Sequence, residues 1–401
     1  MPNAAVGAAP GPGMQGQVGG GGIGANPFQI ATNLYAEKNL QGAQTGLLLT
    51  GTQIAGGGSI NAGQYLRALR LMVRTTVAAV GGTVVGDAPF SVFGQLDLVN
   101  VDGSEILYNM GGYAYYIREK YFRPWLTDPG RRYDFQAASA TSGGSFTLSL
   151  MPEIRFTAGV LANTDTRSQY RFDYTLNGTG LFSAITTYPT IALIPYMDAW
   201  AQPDAQDLQG TPNQPVPPGV NLQTKARHQI FTLNANASDN ILLSTLTGNA
   251  LRAMAIVTRT SAGARVNGFS DPIYWQLDNR SLGRLNPDIV RQWAEDFYSD
   301  LNLTGFSTNQ TAGNPTTVSN NAVDGLSGTG LYAGNGAADT GVYLFPRFIE
   351  PGELYGQGWL YTANSTKLQF ESVTQNSAAT AELITDEVYP VGQVDPALVD
   401  I

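Results

Sequence analysis

The side chains best suited to chemistry are scarce in this sequence. Cysteine is absent and His228 is the only histidine. Thiolate nucleophiles, disulfide frameworks and cysteine-ligated zinc are thereby excluded, and one chain holds no pair of histidines for a metal. A Ser–His–Asp triad would have to run through His228. That residue stands in Lys225-Ala226-Arg227-His228, a polar entry to a strand with no nucleophile motif nearby. Carboxylates are the remaining option, because glycoside cleavage needs only two of them. Glu350 with Glu353 and Glu295 with Asp296 are the candidate pairs, but Glu350-Pro351-Gly352-Glu353 reads as a turn and Glu295-Asp296 falls on the polar side of a predicted helix. Asp97, Asp102 and Glu105 form a third acidic group; turn chemistry accounts for Asp102 and strand alternation for Asp97. The run Gly19 to Gly24 has neither a strand before it nor a Lys-Ser/Thr after it, as a phosphate-cradling loop requires. No catalytic residue, metal site or cofactor is assigned.

The elements around these residues read as strands. Leu66 to Arg74 alternates in part, and Gln95 to Val101 alternates almost cleanly, the period of a sheet with one wet face. Asp102-Gly103 between Leu98-Val99-Asn100-Val101 and Ser104-Glu105-Ile106-Leu107-Tyr108 is a hairpin signal. Further strands are expected at 145–150, 170–176 and 190–196. Past the Pro-rich linker they resume at 229–233, 240–243, 251–258, 341–345, 358–361 and 367–371. Helices are few: one over Gly112 to Phe122, and one opened by Asn286-Pro287-Asp288 with cap, first-turn proline and acidic first turn, its apolar stripe made of Ile289, Val290, Trp293, Ala294 and Phe297. Pro27 to Gln41 also reads as a short amphipathic helix, with Phe28, Ile30, Leu34 and Tyr35 on one side. Those four are the candidate assembly contacts. The stripe packs either on its own domain or on a neighbouring subunit or membrane surface.

Composition supports an extended, loop-rich β protein. The 401 residues include 47 glycines, only 13% are charged, and 43% are hydrophobic, which suffices for one or two large cores. The net charge of −9 argues against a basic grip on nucleic acid, and no sequence-specific nucleic-acid binding is assigned. Only four of the 22 basic residues are lysines, a bias that suits planar contacts between packed surfaces. The uncharged stretch from Tyr174 to Met197 is long enough to span a bilayer, but it is broken by Gly178, Gly180, Pro189 and Pro195 and is rejected as a membrane helix. Met1-Pro2-Asn3 opens with neither a basic start nor an apolar core, so no secretory signal is expected. The expected fold is all-β, two tandem eight-stranded jelly rolls with short helices between strands. Residues 1–44 form a Gly-rich arm and short helix, 45–200 the first jelly roll, 201–221 a Pro-rich linker, 222–395 the second jelly roll with a long loop at 305–340, and 396–401 a tail. Two β halves, each with one helix in its middle, amount to a coarse internal duplication.

Three stretches resemble the double jelly-roll major capsid proteins of tectivirus-like bacteriophages, the lineage that includes the adenovirus hexon. They are Phe93 to Val99 with its hairpin, Thr157 to Asn163 running on to Gln169-Tyr170-Arg171-Phe172, and Leu285-Asn286-Pro287-Asp288 through Trp293 followed by Gly341-Val342-Tyr343. The arm at 1–26 and the loop at 305–340 depart from that pattern. The resemblance implies a non-enzymatic structural subunit in a virion shell, assembled in the host cytoplasm. Its implied partners are two further copies in a pseudo-hexagonal homotrimer, neighbouring trimers, vertex (penton) and minor capsid proteins, and an internal viral membrane. The rival expectation is a carbohydrate-binding or carbohydrate-cleaving β-sandwich, such as a fibre or lectin-like module.

Overall fold

The structure, a computed structural model, describes residues 25–290, 341–345 and 358–390, less segments 78–82, 85–86, 127–144 and 243–248 and positions 102, 104–105, 124, 184, 235, 363–364 and 375–377. The first half contributes β1 (Leu34–Lys38), β2 (Gln44–Leu48), β3 (Ile54–Ser59), β4 (Gln64–Val77), β5 (Thr83–Val84), β6 (Phe93–Val99) and β7 (Ile106–Met110). Helix α1 (Gly112–Tyr121) follows, then β8 (Ser145–Leu150), β9 (Leu161–Asn163), β10 (Arg171–Leu176), β11 (Phe182–Ser183) and β12 (Thr190–Ala201). The second half contributes β13 (Leu222–Thr232), β14 (Ser238–Leu242), β15 (Ala250–Arg259), β16 (Ile273–Leu277), β17 (Arg280–Leu285), β18 (Val342–Leu344), β19 (Leu360–Tyr361), β20 (Leu368–Val373) and β21 (Thr380–Pro390).

The strand order is the same in both halves. The first pairs β1-β12-β4-β8 in one sheet, with β2 also on β12 and β9 also on β4, and β7-β6-β10-β3 in the other; the second pairs β13-β21-β15-β18, with β19 also on β15, and β17-β16-β20-β14. Each half is an eight-stranded jelly roll, as the sequence leads one to expect. One contact fuses them: β13 lies parallel to β7 at Ala226 and Tyr108, so the second sheet of the first sandwich and the first sheet of the second are continuous. Each sandwich has its own core. Leu69, Leu71, Phe90, Leu96 and Phe172 lie in the first, and Met254, Ile256, Trp275, Tyr343 and Phe370 in the second.

Burial alternates along β1, β9 and β10 and over much of β4, since a face that is dry every second residue must be covered by the opposite sheet. Helix α1 does not alternate: all ten residues are buried, as expected of a helix enclosed on every side. Gly112 permits its start, because a Cβ there would lie 2.0 Å from the Phe90 carbonyl oxygen. Glu119 accepts from the Ser149 amide at 2.9 Å and Lys120 donates to the Tyr116 hydroxyl at 3.0 Å, so charge is tolerated inside.

Several expectations are corrected. Residues 27–41 are not a helix: they turn at 30–32 and then form β1, antiparallel to β12 with Leu34 opposite Trp200 and Lys38 opposite Tyr196. A helix this short is marginal alone, whereas pairing on β12 satisfies the backbone at once. The β6–β7 hairpin forms, but its strands stop at Val99 and Ile106, so the connection is longer than a two-residue turn. The helix after β17 begins at 287 as expected, with the Asn286 side chain accepting from the Asp288 amide at 2.8 Å. Val290 is buried, while Ile289 is exposed rather than part of a buried stripe. Tyr174 to Met197 is built from the end of β10, a turn, β11 and the start of β12, and no helix among the described residues is long and apolar enough to cross a membrane.

Candidate functional site at the junction of the two jelly rolls

The polar chemistry of the molecule concentrates where the two sandwiches meet. Asp386, on β21, is fully buried and sits among three guanidiniums that are also buried, those of Arg118, Arg123 and Arg252. Arg118 and the segment ending in Arg123 come from the first half, Arg252 and Asp386 from the second. Arg123 Nη1 donates to Asp386 Oδ2 at 2.5 Å, Arg118 Nη2 to Oδ1 at 3.1 Å, and Arg252 Nε to Oδ2 at 2.8 Å. Other donors reach backbone carbonyls, Arg118 and Arg123 that of Met151, at 3.0 and 3.2 Å, and Arg252 that of Phe122 at 2.5 Å, while Arg123 Nε is buried without a hydrogen-bond partner. Arg118 also donates to the Tyr108 hydroxyl at 3.1 Å, and that hydroxyl bonds Thr224 of β13. Burial works to raise the Asp386 carboxyl, yet the surrounding cations hold it far below the usual carboxylate range. Burial, and then repulsion from Arg118, bring Arg123 down to about 9.

A second ionic chain crosses the same junction. Asp87, from the first half, accepts from Arg259 Nη1 at 2.5 Å and from Arg265 Nε at 2.8 Å. Arg259 Nε donates to Glu382 at 2.9 Å, and Glu382 stands 2.6 Å from His228 Nε2. Burial opposes ionisation of Glu382, but bonding to His228 and the charge of Arg259 lower it to about 2. His228 is thus a partnered member of an inter-barrel network rather than a base facing a substrate. Such buried pairs fix geometry more than they add stability, since desolvation offsets much of their attraction.

The residues named from sequence fall elsewhere. Phe28 meets Trp200 edge-on at 6.0 Å, and Tyr35 is half-buried and bonds Glu37. Ile30 and Leu34 are exposed. Asp97 lies directly across from Asp173 on the outer side of the β6–β10 pair, and its carboxyl is raised to about 6, mainly by burial, with the Asp173 charge adding. Asp102, Glu105, Glu295, Asp296, Glu350, Glu353 and the 305–340 loop lie outside the described residues. Among the described residues no three His, Asp or Glu side chains gather as a metal site would require. Sequence reading missed Asp386 and its arginines. The usable signal was a repeat, Leu66-Arg67-Ala68-Leu69 in β4 and Leu251-Arg252-Ala253-Met254 in β15.

No family profile matches the chain, and no curated protein matches it in sequence. Solved structures do match. A chain from the atomic structure of Sulfolobus Turreted Icosahedral Virus is 12% identical, with a TM-score of 0.58, 90% of this chain covered and 91% of that one. The major capsid protein of bacteriophage PM2 is 12% identical, with a TM-score of 0.50 and coverage of 90% and 100%. A chain of the PBCV-1 virus capsid is 11% identical, with a TM-score of 0.53 and coverage of 89% and 94%. Likeness across nearly the whole of both chains, together with the repeated strand order, establishes that this protein has the double jelly-roll fold.

Proposed function

We propose that the chain is a major capsid protein: a structural subunit that forms homotrimers of pseudo-hexagonal outline and tiles an icosahedral virus shell. The observation that carries this reading is the pair of jelly rolls locked side by side through a buried ionic junction, in a fold shared over about nine-tenths of the chain with capsid proteins. Rigid coupling of two barrels suits a tile, whose task is to hold shape beside its copies. Within this reading the barrel domains are 45–200 and 222–395, joined by 201–221, with β1 recruited from the 1–44 arm and 396–401 left as a tail. Neighbouring trimers, vertex and minor capsid proteins and an internal membrane belong to the same proposal, as do location in the virion and a non-enzymatic role.

The test is native mass and imaging of the purified chain. The expected result is a stable species of three times 42.6 kDa with a six-cornered projection. A chain that stays single at all concentrations and binds or cleaves glycans would overturn the reading in favour of a carbohydrate-directed sandwich.

A further inference from the structure

The buried junction holds more donors than its carboxylate can accept. Arg118 directs two N–H groups at Asp386 Oδ1, while Arg123 directs one and Arg252 two at Oδ2. Two carboxylate oxygens offer about four acceptor sites, so Asp386 is saturated. Arg123 engages its Nη1 and Nη2 with Asp386 and with the carbonyls of Phe122, Met151 and Pro152. Its Nε–H has no acceptor, in a side chain that is fully buried. A buried donor in that state carries its whole desolvation penalty.

A second donor of the same kind stands beside it. Trp125 follows two residues after Arg123, and the guanidinium carbons of Arg123 and Arg252 each lie 5.7 Å from its ring. The ring is half-buried and packs on the small apolar cluster that includes Ile154, Ala250 and Val388, yet its Nε1 is shut off from solvent and bonds nothing. A tryptophan with one wet edge ordinarily turns its N–H to that edge or to an acceptor. Here the N–H is on the dry side.

Charge points the same way. Three guanidiniums share the one carboxylate. Among the described residues the neighbouring buried carboxylates are committed elsewhere: Glu387 to Arg227 and Asn249, Glu153 to Arg67, and Glu382 to Arg259 and His228. Burial and repulsion from Arg118 already bring Arg123 down to about 9. A water molecule at the two N–H groups would accept their hydrogen bonds and leave the excess positive charge as it is, whereas a monovalent anion answers both. We infer that the junction binds a small anion of the halide class, chloride where that is the abundant one, held by Arg123 Nε and Trp125 Nε1. The ion enters past the exposed edge of the Trp125 ring. Arg123 and Trp125 belong to the first half of the chain, Arg252 and Asp386 to the second, so the ion completes the lock between the barrels. The site belongs to the fold and stands whether or not the chain trimerises.

The test is thermal unfolding of the full chain in sodium chloride, bromide and fluoride at matched ionic strength, together with a bromide-soaked crystal. Non-specific salt effects favour the strongly hydrated fluoride, so a halide site shows as the reverse order. The melting temperature is expected to stand about 2 °C or more higher in chloride and bromide than in fluoride, and to climb with the logarithm of halide concentration. Trp125→Phe keeps a ring and removes the donor, and should lose that increment. The anomalous signal of bromide should fall within hydrogen-bond reach of both nitrogens; this readout needs only the wild type and decides the matter if the variant does not fold. Melting that is equal in the three salts or highest in fluoride overturns the proposal, as does an increment that Trp125→Phe retains, or a water without anomalous signal at that point. Bromide seen only at crystal concentration, with no effect on melting, is an adventitious ion only and overturns it too.

Discussion

Asp198 and Asp386 occupy the same position in two jelly rolls of one chain, yet they live in different solvents. Each faces a strand that bulges at an arginine, Arg67 or Arg252, and each is flanked by a pair of alanines. Asp386 is fully buried under two further arginines from α1 and its end; the Asp198 side chain keeps 17% of its exposure. A repeated local sequence therefore fixes the pairing but not its energetic weight. That weight is set by what lies on top, and burial turns a modest ion pair into one whose disruption the fold cannot absorb.

The largest break in this comparison should come from Asp386→Asn. It removes the carboxylate that three buried guanidiniums share and is expected to cost about 3–5 kcal/mol in urea unfolding, as for a buried pair deprived of one partner. Next is Arg67→Met. Arg67 Nη2 lies 2.7 Å from Glu153, whose side chain is fully buried, and the variant should lose about 2 kcal/mol by stranding that carboxyl. Asp198→Asn should cost about 1 kcal/mol or less, because water screens what remains. Equal losses from Asp198→Asn and Asp386→Asn would remove the distinction between the two faces.

A pH series sharpens the contrast further, with the smallest effect. Asp97 is raised in the folded chain to about 6, so its contribution is fully present below its unfolded value and is lost as pH rises through 6. Glu382 is lowered to about 2; its contribution is present above the unfolded value and is lost as pH falls towards 2. Asp97→Asn should flatten the decline between pH 4 and 7 by less than about 1 kcal/mol, given its partial exposure. Urea midpoints across that range check it; an unchanged slope would refute the assignment.

The sandwich was legible wherever strands have one dry face. Leu66 to Arg74, Gln95 to Val99 and Arg171 to Leu176 alternate, and all three are strands. Strand β21 was not legible. Thr380 to Pro390 is buried on both faces at the junction and includes Glu382, Asp386 and Glu387, so it shows neither alternation nor an apolar run. Its role depends on partners more than 100 residues away, which no local pattern encodes. The segment with Leu34 and Tyr35 was misread for the opposite reason: a few apolar residues fit a 3.6 period by spacing, while the backbone needs of the adjacent β12 decide for a strand.

The most direct test is a density map of the assembled particle at a resolution that separates strands. The account predicts three copies around an axis, the twin barrels of each making two of the six corners of the outline. A shell in which this chain is missing, or in which it stands singly rather than in threes, would contradict it.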